Sequence, residues 1–251
     1  VSANVVFENA SLRADVARGR LAGVLATDVV VTMPDMPAGD LRLAGNAAGR
    51  SEDIVRFVRQ ADPVRRLLGY GIEEARVEGG EGSARVDLYL PLKNLPGREV
   101  SVDLAVNGMS YAVGPMHQPV ENISGDITIR NAAVSSEVIS ASVVGRPVSA
   151  RFAQRGDGGT QLLLSGRFGA RQIETLFRIP ETGLFTGEAD LQGRLDFPLA
   201  RSGQRFSVTM TSDLVGVGKA ISALNKVLPK RQFILMGPGR WGSRGDIKLG
   251  V

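Results

Sequence analysis

The 251 residues contain no cysteine and one histidine, His117. The first absence excludes disulfides and thiolate chemistry and leaves the compartment open. The second excludes a multi-histidine metal site, and a Ser-His-Asp site would have to use His117. That residue sits in Gly114-Pro115-Met116-His117-Gln118-Pro119, a turn by composition, and reads as a loop histidine. No apolar run reaches 18 residues, so nothing crosses a bilayer as a helix. No signal peptide is legible, and the chain opens on Val1, already inside a strand-like run, so the sequence reads as a piece of a longer protein. Net charge is +4 with a pI near 9.7. The basic residues are spread, which fits a solvated sheet face and not a nucleic-acid footprint.

What is present is alternation. From Phe185 to Phe197 the odd positions are apolar or small and the even positions polar: Phe185, Gly187, Ala189, Leu191, Gly193, Leu195 and Phe197 against Thr186, Glu188, Asp190, Gln192, Arg194 and Asp196. Successive strand side chains face opposite ways, so this is a strand with one dry face and one wet face, about 40 Å long at roughly 3.3 Å per residue. The pattern recurs in Leu41 to Ala47, Ala84 to Leu90, Val100 to Val106, Ile123 to Ile129, Val138 to Val144, Val148 to Phe152, Leu162 to Phe168 and Phe206 to Met210. Val5 to Met33 holds two or three more strands, with breaks expected near Gly19 and Gly23. Gly is abundant, at 31 residues, which suits strands that bend and turn often.

The period changes twice. Ile54, Val55, Phe57, Val58, Ala61, Val64, Leu67 and Leu68 recur at helical spacing. Ser51 is the expected N-cap, Pro63 the expected break and Gly69 the expected stop. A second, short helix is expected over 170–177, carrying Ile173, Leu176 and Phe177. Strands in meander order with short turns pair antiparallel. The fold class is therefore mainly β: a long antiparallel curled sheet, an open taco-like groove, with one or two short helices. Pattern quality is even, no second set of strands is dry on both faces, and the helices are too few to cover the sheet.

The order of several motifs resembles a known family. Phe7-Glu8-Asn9-Ala10, Asp87-Leu88-Tyr89-Leu90-Pro91-Leu92-Lys93, Val120-Glu121-Asn122-Ile123-Ser124-Gly125-Asp126-Ile127, Val144-Gly145-Arg146-Pro147 and Thr211-Ser212-Asp213-Leu214-Val215-Gly216 follow one another as in the periplasmic part of the YhdP branch of the AsmA-like proteins. The resemblance covers about residues 1–216. It implies a long curled sheet whose greasy groove bridges the inner and outer membranes of a Gram-negative envelope and conducts phospholipids. The membrane anchor would lie in missing parts of the parent protein. The implied partners are phospholipid acyl chains and the two membranes. Under that reading the lipid-facing residues are Val86, Leu88, Leu90, Val102, Leu104, Val106, Ile127, Ile129, Leu162, Leu164, Phe185, Leu191, Leu195 and Phe197. No cofactor, metal, nucleic acid or catalytic residue is expected.

After Gly216 the character changes. Residues 219–228 read as a helix and Phe233 to Met236 as a short buried strand. Gly237-Pro238-Gly239-Arg240-Trp241-Gly242 spells a dinucleotide fingerprint, but the chain stops nine residues later. The stretch 217–251 resembles part of the nucleotide-binding portion of phosphoenolpyruvate synthase-like enzymes, which implies a chimeric sequence with an unrelated tail that does not extend the sheet. The competing readings are an ATP-dependent enzyme fragment resting on that tail, and a plain β-rich structural module.

Overall fold

Tight two-residue turns convert the alternation into hairpins. Leu21 faces Val24 across Ala22-Gly23, with φ of 52° and 92°, and Val143 faces Arg146 across Val144-Gly145, with φ of 51° and 70°. Two consecutive positive φ values match the twist of the flanking strands. In the computed structural model, residues 2–60, 75–113, 118–131, 133–156, 158–177, 186–197, 207–212, 231–236 and 246–249 are described.

The strands are β1 (Ser2–Glu8), β2 (Ser11–Leu21), β3 (Val24–Met33), β4 (Asp40–Arg50), β5 (Ala75–Glu78), β6 (Glu81–Pro91), β7 (Glu99–Val113), β8 (Val120–Arg130) and β9 (Ala133–Ser136). They continue as β10 (Ile139–Val143), β11 (Arg146–Gln154), β12 (Thr160–Gly169), β13 (Glu188–Phe197), β14 (Ser207–Ser212), β15 (Arg231–Met236) and β16 (Asp246–Leu249). All sixteen join one open sheet in meander order, and every pairing is antiparallel. β5 and β6 divide the length of β7 between them, and β9 and β10 divide β8 in the same way.

Among the described residues two α-helices interrupt the meander. α1 (Ser51–Gln60) leaves the end of β4, and α2 (Ala170–Phe177) leaves the end of β12. β4 and β12 lie an even number of antiparallel steps apart in the sheet, so both helices stand on the same rim.

Local details depart from the sequence reading in four places. Gly19 does not break a strand; it pairs with Ala26 inside β2, and the break falls at Asn9-Ala10 instead, with Asn9 at φ 52°. Ser51 is not an N-cap: it is buried and its hydroxyl has no partner, while the Glu52 carboxylate accepts the Gly79 amide at 2.9 Å. β13 begins at Glu188; Phe185 lies outside the described residues, as do Pro63, Gly69, His117, 219–228 and 237–243. Finally, β15 and β16 do extend the sheet, through Val208↔Leu235 and Leu235↔Ile247 among other pairs. Backbone pairing needs only an exposed strand edge, which β14 supplies, and not the alternation that residues 231–236 lack.

Candidate functional site

Directly opposed residues on paired strands share a face, so register decides what the strands display together. Val86 faces Val102, which faces Ile129; Ala84 faces Leu104, which faces Ile127; Gly82 faces Val106. On the far side of β6, Leu41 faces Leu90 and Leu43 faces Leu88. In the second half of the sheet Leu162 faces Leu195, Leu164 faces Gly193 and Gly166 faces Leu191.

The two halves meet at β8. Met109 faces Ile123, and Ile123 packs on the cluster of Ala141, Val148, Phe168, Ile173, Ala189 and Leu191. The apolar parity therefore runs as one surface from β3 to β13. It contains every expected lining residue whose side chain is described. Phe197 sits opposite Thr160 at the end of β13, and Phe185 is outside the described residues.

Exposure divides this surface. Val106, Ile129 and Leu191 are buried, whereas Val86, Leu88, Leu90, Val102, Leu104, Ile127, Leu162, Leu164 and Leu195 are half-buried. Val106 and Leu191 lie towards the rim that carries the helices, whereas Ile129 lies away from it, between Val102 and Val134. Ile54 of α1 reaches over Gly82: its Cδ1 lies 2.8 Å from where a Cβ at 82 would sit, with Leu104 Cδ1 3.9 Å from the same point. α2 covers the second half through Ile173. Away from that rim, no second layer covers the face among the described residues.

Glycines on the apolar side act as notches. Val29 fills the space above Gly45, Val148 and Phe168 fill that above Gly166, and Leu164 approaches Gly193. Sequence reasoning counted these glycines as part of the dry parity but did not pick out the residues that fill them. It also missed Val24, which is 5% exposed. Parity counted back from Val29 and Val31 puts Val24 on the wrong face. Asp28, at φ 52°, makes a bulge that shifts the β3–β4 register between Thr27 and Val30 and flips the side chains before it. An aspartate inside an apolar run was the available signal.

The other face is polar and cross-paired. Arg130 donates to Asp103 at 2.7 Å, and this hydrogen bond holds the Asp103 carboxyl below its ordinary range. Thr128 adds a weaker hydrogen bond to the same carboxylate at 3.3 Å. Arg13 does the same for Asp15 at 2.7 Å. Two shallow hollows of about 360 and 530 Å³ also lie on this face. Cross-strand rows such as Thr27, Asn46, Arg85, Asp103 and Thr128 line the smaller one. Leu25, Ala48 and Ala105 line it beside those polar rows.

Among the described residues no three His, Asp or Glu side chains converge. No helix is long and apolar enough to cross a membrane, again among the described residues.

Comparison with known proteins gives the arrangement a family. The intermembrane phospholipid transporter YhdP of Escherichia coli (strain K12) is 21% identical over 202 residues, which cover 78% of this chain and 16% of that protein. The chain thus spans about a sixth of that relative's length. A peptidyl-tRNA hydrolase of Chlorobium phaeovibrioides (strain DSM 265 / 1930) is 30% identical over 129 residues, covering 46% of this chain and 67% of that protein. No solved structure matches. The family model described as YhdP protein matches residues 1–235, nearly the whole chain and far more than the hydrolase similarity covers. The chain belongs to the YhdP protein family.

Proposed function

We propose that this chain is a segment of a periplasm-spanning conduit along which phospholipids pass between inner and outer membranes, their acyl chains lying on the apolar face. The observation that carries the reading is that face itself: continuous from β3 to β13, half-buried, and covered at one rim by α1 and α2. An apolar surface this wide needs a cover. Acyl chains are a fitting one, because their transfer from water gains roughly 25 cal/mol per Å² of buried apolar area, the same drive that would close a core. Similarity to a phospholipid transporter supports the same reading.

Passage of this kind needs no nucleophile, base, metal or cofactor, and none is invoked. The membranes are reached through parts of the parent protein beyond this chain, including the inner-membrane anchor. In this reading residues 1–216 form the conduit segment. The tail from 217, of which the family match takes in the part up to 235, pairs its strands with the edge of the sheet.

The test places a charge on the uncovered part of the face. Ile127 is half-buried there, facing Leu104. Ile127→Asp puts a carboxylate among acyl chains, a costly position that holds water or protonates. On an open face the carboxylate still reaches solvent, so the fold survives. Wild-type protein should carry co-purified phospholipid. The variant should keep its melting temperature within a few degrees and lose that lipid. Wild-type protein free of lipid, together with collapse of the variant, would make the face an ordinary core.

A further inference from the structure

One charged side chain lies where the apolar face would exclude it. On α2, Ala170, Ile173 and Glu174 are buried, at the i, i+3 and i+4 positions of one stripe, while Arg171 and Thr175 are exposed. Ile173 on that stripe packs against Phe168, Ala189 and Leu191 of the sheet. Glu174 therefore shares the sheet-facing side of the helix. It is 5% exposed, and its Oε1 accepts no hydrogen bond.

An unpaired buried carboxylate oxygen is costly, and such atoms call for a partner that completes them. The sign of the charge selects a cation. No second or third acidic or histidine ligand converges on it among the described residues, so a divalent metal is not favoured. A single carboxylate suits an ammonium group, which brings hydrogen-bond donors as well as charge.

The surroundings match the rest of a lipid headgroup. Arg146 and Arg167 both pair with Glu188 beside the start of α2, and Arg167 also stands opposite Asp190 across the β12–β13 pair. Arg146 Nη2 lies 3.4 Å from the Cβ position of Gly169, the residue before the helix. Ala170 and Glu174 are separated by one turn, about 6 Å along the axis. An anionic group near Arg146 and a cationic group at Glu174 would thus sit along the same helix, above the acyl-chain surface.

We infer that Glu174 is a binding residue for the primary ammonium of a zwitterionic phospholipid headgroup, at the α2-capped rim of the apolar face. This rests on the lipid-conduit reading and adds to it a headgroup preference. A quaternary ammonium offers the charge without an N–H, and a glycerol headgroup offers neither.

The experiment loads the full 251-residue chain from vesicles of equal parts phosphatidylethanolamine, phosphatidylcholine and phosphatidylglycerol, then measures the extracted lipid by mass spectrometry. Wild-type protein should enrich the ethanolamine lipid, roughly tenfold for one charge-assisted hydrogen bond. Glu174→Gln should bring the bound lipid to the vesicle ratio with its total unchanged. Glu174→Leu should lose the preference while raising the melting temperature, since it removes the unpaired carboxylate. A merely structural glutamate would leave the lipid ratio alone in both variants. Lipid bound in the vesicle ratio by wild type overturns the headgroup assignment and leaves the conduit standing. No lipid bound by wild type overturns both.

Discussion

Val29 occupies the space that a side chain at Gly45 would need. A Cβ at position 45 would lie 2.8 Å from Val29 Cγ2 and 3.0 Å from its Cα. The second contact is backbone, which cannot swing aside, so β3 and β4 approach as they do only because residue 45 has no side chain. Gly82 presents the opposite case, because its near neighbour is the mobile tip of Ile54 at 2.8 Å.

This contrast yields a paired prediction. Gly45→Ala should destabilise the sheet by about 1–3 kcal/mol through overpacking. Gly82→Ala should cost clearly less, since Ile54 can change rotamer and alanine restricts the unfolded chain. Thermal denaturation of the two variants decides it. Equal losses would mean that the strand approach is not what Gly45 permits.

Leu191 tests the covered half. It is 4% exposed beneath the α2 cluster, unlike Ile127 on the uncovered part. Leu191→Glu should destabilise by roughly 4 kcal/mol or more, because it puts a carboxylate in place of a leucine packed among Val148, Phe168, Ile173 and Ala189. Against a total of about 5–15 kcal/mol this is enough to melt the second half at moderate temperature. A Leu191→Glu protein as stable as Ile127→Asp would show that α2 does not cover Leu191.

Val144 sits at φ 51° in the turn between β10 and β11. The left-handed region is costly for a β-branched residue and open to asparagine and glycine. Val144→Asn should raise stability by about 1 kcal/mol, read as a higher melting temperature. A lower one would mean that the valine side chain contributes packing worth more than the strain.

Acid should weaken the polar face. The Asp103 carboxyl is held low chiefly by its hydrogen bond from Arg130, and Asp15 by its own from Arg13. Glu52 is held low chiefly by the Gly79 amide. A carboxyl with a depressed folded pKa contributes stability that is present above its unfolded pKa and lost as pH falls through the folded one. Stability should therefore be level above about pH 5 with respect to these groups and decline below about pH 4. In Asp103→Asn that decline should be shallower. An identical acid limb would show that the Arg130 pair is not linked to folding.

The chain's own pattern determined that it forms one-sided antiparallel strands. Strand alternation, tight turns such as that at Gly23 and the helical period at Ile54 are local properties, fixed by backbone geometry within a few residues. That made Leu88, Leu104, Ile127, Leu164, Leu191 and Leu195 legible as members of one face before any register was known. Tertiary structure decided what lies between them and above them. The bulge at Asp28 put Val24 on the apolar face, against a parity counted back from Val29 and Val31. The edge of β14 took up β15 without alternation to guide it. Both helices came to stand on one rim because β4 and β12 run the same way, a fact of strand order that no short stretch encodes. Burial of Glu174 followed from that placement: a glutamate is seldom buried, and the packing of α2 on the sheet turned this one inward.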